Sequence, residues 1–476
     1  MTLPASWHGD WAGLNAVVLG LGKSGFSVVD TLVELGVKVT VIAKSATPET
    51  LDLAQLIGAT VLEGDEPELL ENLDLPDFAV VSPGFRPSHP LVNKLSDLGV
   101  SAFSDIDLAW RLRDKTERVA KWITVTGTNG KTTTSELVAH MLRAGGHKSV
   151  ACGNIGNPIL DMIRDPEGFD YLVVELSSFQ LHYSHEIAAE ASAFLNFAED
   201  HLDWHGSIDN YFTAKSKVFS NTASAIIFNE HDEKTFAAAK EAVVQEGARG
   251  VSFTLGIPAR SMIGYVEEFL VDRAFLEERA EAALEIADDE DLAKIGPVTT
   301  QLRQNVAAAT ALVRAVGLPP AVIKHAIATF QLAPHRVQLV EVIDGVRFID
   351  DSKATNAHAA AGSLSSFENV IWLVGGDLKG VDISPLILKH AKNLKSAVLL
   401  GADTSELERL FSEHLPTLPL SVMTGKSMAE VVSVAAREAA SGDTVLLAPA
   451  AASMDQYRDY ADRGNQFQQA VRGLLK

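Results

Sequence analysis

The 476-residue chain has one cysteine, Cys152, so no intrachain disulfide can form and a reducing compartment is the expectation. No apolar run in it reaches the roughly 18 residues needed to span a bilayer. The opening stretch Met1–His8 lacks the basic and apolar blocks of a secretory leader. A cytoplasmic, soluble protein without membrane insertion is expected. Positive charge is also scarce: 40 Lys and Arg face 62 Asp and Glu, a net charge of −22. That deficit argues against a nucleic-acid or anionic-membrane surface. Small anions remain open, because a few cations and aligned backbone N–H groups make a positive pocket locally.

What is present is the composition of a packed globular protein, 47% hydrophobic and 21% charged. The length exceeds one ordinary core, and three domains are expected. Short Val- and Ile-rich runs alternate with helix-length segments, which predicts α/β units around mainly parallel sheets. Strands are expected at Ala16–Leu19, Val37–Ile42, Ala59–Leu62 and Ala79–Val81 in a first block. A second block opens with Trp122–Thr126 and continues through Tyr171–Val174, Ala193–Phe197 and Ala225–Phe228, with helices at Lys131–Ala144, Ile208–Ser220 and Leu302–Val316. Val266–Asp291 is strongly acidic and reads as a solvated surface elaboration. A third block holds Val337–Val342, Val346–Ile349, Val370–Val374, Ala397–Leu400 and Val445–Leu447. The expected domains are 1–112, 113–332 and 333–476.

The strongest chemical signal is Gly127-Thr128-Asn129-Gly130-Lys131-Thr132-Thr133, placed between a predicted strand and a predicted helix. Glycines there let backbone N–H groups face a phosphate, and the helix N-terminus adds a favourable partial charge. Lys131 can reach β- and γ-phosphate oxygens, and the Thr132 hydroxyl can ligate Mg²⁺. A full-length phosphate loop would place glycine where Val125 stands, so this is a shortened variant. Gly20-Leu21-Gly22-Lys23-Ser24-Gly25 is a second glycine turn after a strand. The strand that follows ends in Ala43-Lys44-Ser45, with no acid for a cofactor ribose. A diphosphate-bearing ligand therefore fits better than a nicotinamide or flavin. Ser82-Pro83-Gly84 closes a neighbouring strand at the same expected sheet edge.

Glu175 and the run Asn196–Gly206, which includes His201, end two further strands beside the phosphate loop. Mg²⁺ favours oxygen ligands, so Glu175 is a candidate ligand and His201 could hold a second metal or its water. Read locally, Lys215 is a surface cation on a helix. Asp350–Asn356, Gly375–Lys379 and Ala450–Tyr457 are three polar loops at strand ends in the last block. Two rival classes stay open from these residues: a nucleotide-switched binding protein and an oxidoreductase.

Taken in order, Gly127–Thr133, Glu175-Leu176-Ser177-Ser178-Phe179-Gln180, Asn196 with Glu199–Asp203, and Asp351-Ser352-Lys353-Ala354-Thr355-Asn356 resemble the Mur ligases of bacterial cell-wall synthesis. Ser453–Tyr457 and Arg463-Gly464-Asn465 with Phe467 favour the branch that adds D-glutamate to UDP-N-acetylmuramoyl-L-alanine. The resemblance implies an N-terminal Rossmann-like domain, a central ATPase-type parallel sheet and a C-terminal Rossmann-like domain. It implies ATP and two Mg²⁺ ions, an acyl-phosphate intermediate, small-molecule substrates only, and a monomer.

By the same resemblance Gly22, Lys23, Ser24, Ser82, Gly84 and Asn154 surround the UDP-sugar. Gly127, Thr128, Asn129, Gly130, Lys131, Thr132, Thr133, Asn305, Arg336, Asp351 and Lys353 serve ATP, and Thr355, Lys379, Ser453, Met454 and Tyr460 surround D-glutamate. Thr132, Glu175, His201 and a carbamylated Lys215 hold metal, with Lys131, His201 and Lys215 catalytic. The stretch Gln304-Asn305-Val306-Ala307-Ala308 departs from the family pattern in carrying one amide instead of two, and Ala43 and Ser45 replace the acid and base expected near the uracil.

Overall fold

The Val- and Ile-rich runs form strands buried on both faces, as parallel sheets covered by helices require. The computed structural model describes residues 3–475. The first sheet contains β1 (Asn15–Leu19), β2 (Lys38–Ala43), β3 (Thr60–Glu63), β4 (Phe78–Val81) and β5 (Ala102–Phe103), in the order β3-β2-β1-β4-β5 with all neighbours parallel. The helix Lys23–Glu34 leaves β1 through the first glycine turn. Gly25 has to be glycine there, because a Cβ would lie 2.2 Å from the Gly20 carbonyl oxygen.

The second sheet contains β6 (Lys121–Thr126), β7 (Ser149–Gly153), β8 (Tyr171–Glu175), β9 (Ala191–Phe194), β10 (Ala225–Asn229), β11 (Arg249–Phe253), β12 (Met262–Val266), β13 (Phe269–Asp272) and β14 (Leu284–Ala287). Its order is β14-β13-β12-β11-β10-β9-β6-β8-β7. β6 therefore lies between β8 and β9, where the direction of strand addition reverses, the place at which open α/β sheets bind ligands. Cys152 is fully buried in β7, and burial pushes its thiol up to about 12.

The third sheet contains β15 (Gln338–Ile343), β16 (Val346–Asp350), β17 (Val370–Val374), β18 (Leu394–Leu399), β19 (Leu420–Val422) and β20 (Thr444–Leu447), in the order β15-β16-β20-β17-β18-β19. Only the β15–β16 pairing is antiparallel. Two compact units divide the chain. Residues up to Ile286 with Val306–Ala326 form one, which carries the first two sheets. Ala287–Asn305 with Ile327 onward form the other, which carries the third. Among the described residues no helix is long and apolar enough to cross a membrane.

Three local expectations need correction. The strand expected at Ala193–Phe197 ends at Phe194: the Leu195 N–H still bonds the Thr126 carbonyl at the end of β6, but Asn196 turns to the Gly127–Gly130 loop, accepting from the Thr128 N–H at 3.0 Å and the Asn129 N–H at 2.9 Å. The helix expected to reach Ser220 stops at Ser216 and tightens into a 3₁₀ turn, Lys217–Phe219. The acidic stretch 266–291 is only in part a solvated face: Leu270 and Asp272 are fully buried, and Asp272 accepts from Arg314 Nε at 2.9 Å.

Candidate active site

Strand register alone gathers the central motifs. Val125 pairs with Glu175 on one side of β6, and Thr126 pairs with Phe194 on the other. The Gly127–Gly130 loop thus leaves its strand between the turns that follow Glu175 and Phe194. Gly130 sits at φ +82° as the N-cap of the helix Lys131–Ala144, a left-handed conformation that glycine adopts without strain. Asn196 clamps the loop reciprocally: its Oδ1 accepts from the Asn129 N–H at 2.9 Å and its Nδ2 donates to the Asn129 carbonyl at 3.0 Å. The Thr128 hydroxyl donates to the Ala198 carbonyl at 3.2 Å and lies 3.2 Å from the Tyr211 hydroxyl. Lys131 Nζ turns back on the loop and donates to the Gly127 and Thr128 carbonyls, each at 2.9 Å. Thr132 and Thr133 fill the first turn of the helix.

Lys215 is buried, not a surface cation: it is 1% exposed and donates to the Gly127 carbonyl at 2.7 Å. Burial, reinforced by the Lys131 charge, holds its amine well below the ordinary lysine range, while Asp200 and Glu175 oppose that shift. Glu175 is likewise 1% exposed. Its Oε1 accepts from Asn154 Nδ2 at 2.8 Å, whereas its Oε2 is buried with no hydrogen-bond partner. A buried carboxylate oxygen left open in this way suits a cation.

His201 occupies a left-handed turn at φ +52° and packs edge-on against Phe179, with ring centroids 4.8 Å apart. Its Nε2 is 3.5 Å from Asp200 Oδ2. Among the described residues no three His, Cys, Asp or Glu side chains form a ready metal cluster. Any ion here needs hydroxyl, modified or substrate oxygens as well.

In the same unit, Ser82 Oγ donates to the Gly20 carbonyl at 3.4 Å, bringing the two N-terminal turns together. Gly22 N-caps the helix that begins with Lys23 and Ser24, and no side chain caps that end. Trp204 Nε1 donates to the Pro83 carbonyl at 3.1 Å, so the Ser82–Gly84 turn borders the segment just after His201. Asn154 was expected around the UDP-sugar, and its amide is engaged by Glu175.

In the second unit a strained turn joins three of the expected nucleotide contacts. His335 and Val337 flank Arg336 at φ +65° and +45°, the latter costly for a β-branched residue. The Val337 N–H donates to Asp351 Oδ1 at 3.2 Å and the Lys353 N–H to the His335 carbonyl at 3.2 Å. Burial pushes the Asp351 carboxyl up to about 7, against hydrogen bonds from Ser363 and Val337 and the charge of Arg336.

Lys353 Nζ lies 3.8 Å from the centre of the Tyr460 ring. Ser453 is buried, Thr355 is half-buried, and Lys379 and Met454 are exposed. Asn305 is buried on the helix Thr300–Ala315.

Sequence reasoning assigned no role to Arg463, which is fully buried and binds all three polar loops. It donates to Ser352 Oγ at 3.0 Å, to the Ser352 carbonyl at 2.9 Å, to the Ala451 carbonyl at 3.2 Å and to the Gly375 carbonyl at 3.5 Å. Tyr211 was missed in the same way. The available signal was a long polar side chain on an otherwise apolar helix face.

Three family models match the chain: "Mur ligase MurD-like, N-terminal domain" over residues 14–104, "Mur ligase middle domain" over 125–286 and "Mur ligase, glutamate ligase domain" over 335–451. A UDP-N-acetylmuramoylalanine–D-glutamate ligase of Leifsonia xyli is 48% identical, across 99% of this chain and 94% of that protein. The chain belongs to the Mur ligase family. A ligase of the same name from Tropheryma whipplei is 42% identical, over 99% of this chain and 98% of its own. Among solved structures, the UDP-N-acetylmuramate-alanine ligase of Thermotoga maritima shares the fold at TM-score 0.56 and 16% identity, covering 97% of this chain and all of that one. The middle-domain match of this Mur ligase opens at Val125, beside the phosphate loop, and the C-terminal match opens at His335 on the strained turn.

Proposed function

We propose that this Mur ligase uses ATP to join D-glutamate to UDP-N-acetylmuramoyl-L-alanine, the reaction after which its 48% and 42% identical relatives are named. The observation that carries the reading is the convergence of the Gly127–Gly130 loop, Glu175 and buried Lys215 on one sheet edge. A free carboxylate is a poor electrophile, so it must first be activated. Its oxygen attacks the γ-phosphorus of ATP, the bond to the β-bridging oxygen breaks, and an acyl phosphate and ADP result. The D-glutamate amine then attacks the acyl carbon and loses a proton. The tetrahedral adduct expels inorganic phosphate, leaving the amide.

In this reading Lys131 exchanges the carbonyls of Gly127 and Thr128 for phosphate oxygens, and the N–H groups of the loop and of Thr132 and Thr133 cradle the triphosphate. Thr132, Glu175, His201 and Lys215 as its carbamate would hold two Mg²⁺ ions. Such ions, when bound, neutralise charge on the transferring phosphoryl group. Two features support that fit: the open Glu175 Oε2, and an amine at Lys215 that burial holds well below the ordinary lysine range, which favours the free base that adds CO₂. We assign the uridine diphosphate to Gly22, Lys23, Ser24, Ser82 and Gly84, with Asn154 steadying Glu175. Asn305, Arg336, Asp351 and Lys353 are assigned to the nucleotide, and Thr355, Lys379, Ser453, Met454 and Tyr460 to the amino acid.

The test is to incubate the protein with ATP, Mg²⁺, the UDP-linked precursor carrying ¹⁸O in its carboxylate, and D- or L-glutamate. Coupled product with D-glutamate alone and one ¹⁸O in the released phosphate are expected. ATP hydrolysis indifferent to precursor and amino acid would overturn the assignment.

A further inference from the structure

Asp105 is a buried acid to which the proposed reaction gives no task. It is 4% exposed, in the first turn of the helix Asp105–Arg111 that follows β5. Burial pushes its carboxyl up to about 6, with Asp107 adding to the rise and Gln180 opposing it. An acid kept where its charge is costly, with an amide and not a cation as its side-chain partner, is a poor choice for stability alone.

That partner is Gln180. Gln180 Nε2 donates to both Asp105 oxygens, at 3.3 and 3.4 Å. The other end of the same amide faces Ser177: Oε1 accepts from the Ser177 N–H and from its hydroxyl, each at 3.1 Å. The amide orientation is thereby fixed from both sides, since a backbone N–H demands an acceptor and a carboxylate demands a donor. Ser177 lies two residues beyond Glu175. Between them, the Leu176 N–H bonds the Val125 carbonyl at 2.9 Å, and its carbonyl accepts from the Thr126 hydroxyl at 2.8 Å. The turn behind Glu175 is therefore held by the phosphate-loop strand on one side and by Gln180 with Asp105 on the other.

The rest of the connector helix makes ordinary structural contacts to the next few residues. Asp107 Oδ1 accepts from the His185 and Glu186 N–H groups at 2.9 and 3.2 Å, Ser104 Oγ lies 2.9 Å from Ser184 Oγ, and Arg111 pairs with Glu186. On this helix Asp105 is the residue that reaches the metal-side turn.

We propose that Asp105 is a positioning residue: acting through the Gln180 amide, it holds the Ser177 turn so that Glu175 presents its open oxygen to the cation. This rests on the reading of Glu175 as a Mg²⁺ ligand. Gln180→Glu keeps an acceptor for Ser177 but sets a second carboxylate against Asp105. Asp105→Asn keeps an acceptor for Gln180. In the double variant the amide introduced at position 105 can donate to the carboxylate introduced at position 180, which restores the pairing with donor and acceptor exchanged.

The experiment compares wild type, Q180E, D105N and D105N/Q180E by two readouts. One is the Mg²⁺ concentration giving half-maximal ATP-dependent phosphate release. The other is deuterium uptake at the Ser177 amide in protein without ligand. For Q180E a rise in half-saturating Mg²⁺ of about tenfold is expected, the scale of one hydrogen bond to a charged group, with faster Ser177 exchange. D105N should stay within about twofold of wild type, and the double variant should return most of the way on both measures. Unchanged Mg²⁺ dependence in Q180E, or a double variant no better than Q180E, overturns the role of Asp105. Absence of Mg²⁺-dependent phosphate release in wild type would instead overturn the ligase reading, and the exchange measurement would still judge the Asp105–Gln180 hold.

Discussion

Lys131 and Lys215 donate to a single acceptor, the carbonyl oxygen of Gly127, at 2.9 and 2.7 Å. One oxygen thus steadies two amines of opposite prospects. Lys131 is half-buried at the helix start, next to the Gly127–Gly130 loop. Lys215 is enclosed, and burial together with the neighbouring ammonium holds its amine well below the ordinary lysine range.

Lys131→Ala should therefore fold normally and lose at least about a hundredfold in phosphate release, the usual consequence of deleting one preorganised charge at a phosphoryl group. Turnover within a few-fold of wild type would remove Lys131 from the transfer step.

Lys215→Met should be inactive yet melt no lower than wild type at neutral pH. Because the folded-state amine is depressed, the unfolded chain holds the extra proton and wild-type stability climbs with pH. Any advantage of the Met variant should shrink as the pH approaches the ordinary lysine value. With ¹³C-bicarbonate, a carbamate resonance should appear in wild type and be missing from the variant. Its absence from wild type would rule out the modification.

Asn196→Ala deletes both halves of the clamp on Asn129 and should cost about 1–3 kcal/mol of stability, since a loop N–H and C=O lose their partner together. ATP binding, followed by titration calorimetry, should weaken more than binding of the UDP-linked precursor. Equal losses for both would mean that the clamp supports the fold and not the phosphate loop.

Asp351→Asn makes a pH-dependent prediction. Its folded-state value, about 7, lies above the unfolded one, so its contribution to stability is full below about pH 4 and is lost as the pH rises through 7. The Asn variant should gain on wild type with rising pH, by at most about 4 kcal/mol above pH 8. Parallel melting curves at pH 5 and pH 8 would show that the carboxyl is not perturbed.

Much of this was legible in the sequence because it is encoded locally. The phosphate loop, the buried parallel strands and the first glycine turn each lie within one strand–turn–helix, where spacing and glycine placement suffice. Lys215 was not legible by local physics. A lysine on a helix of mixed composition reads as exposed, and only the approach of β6 from about ninety residues upstream encloses it. The Asp272–Arg314 pair hid inside an acidic run for the same reason, since one buried carboxylate looks like its solvated neighbours until the partner helix is placed. Arg463 and the Asp105–Gln180 pair join segments that are distant along the chain. The positive φ of Val337 accompanies a bond from its N–H to Asp351, fourteen residues on, and a β-branched residue gives no local sign of it.

The burial of Cys152 has a practical corollary. A thiol shut inside β7, with its ionisation pushed up to about 12, cannot meet an alkylating reagent while the central sheet is intact. Since no other sulfhydryl exists in the sequence, the rate of labelling counts how often that sheet opens. Nucleotide or precursor that tightens the central sheet should slow the reaction, giving a ligand assay that needs neither turnover nor an added probe.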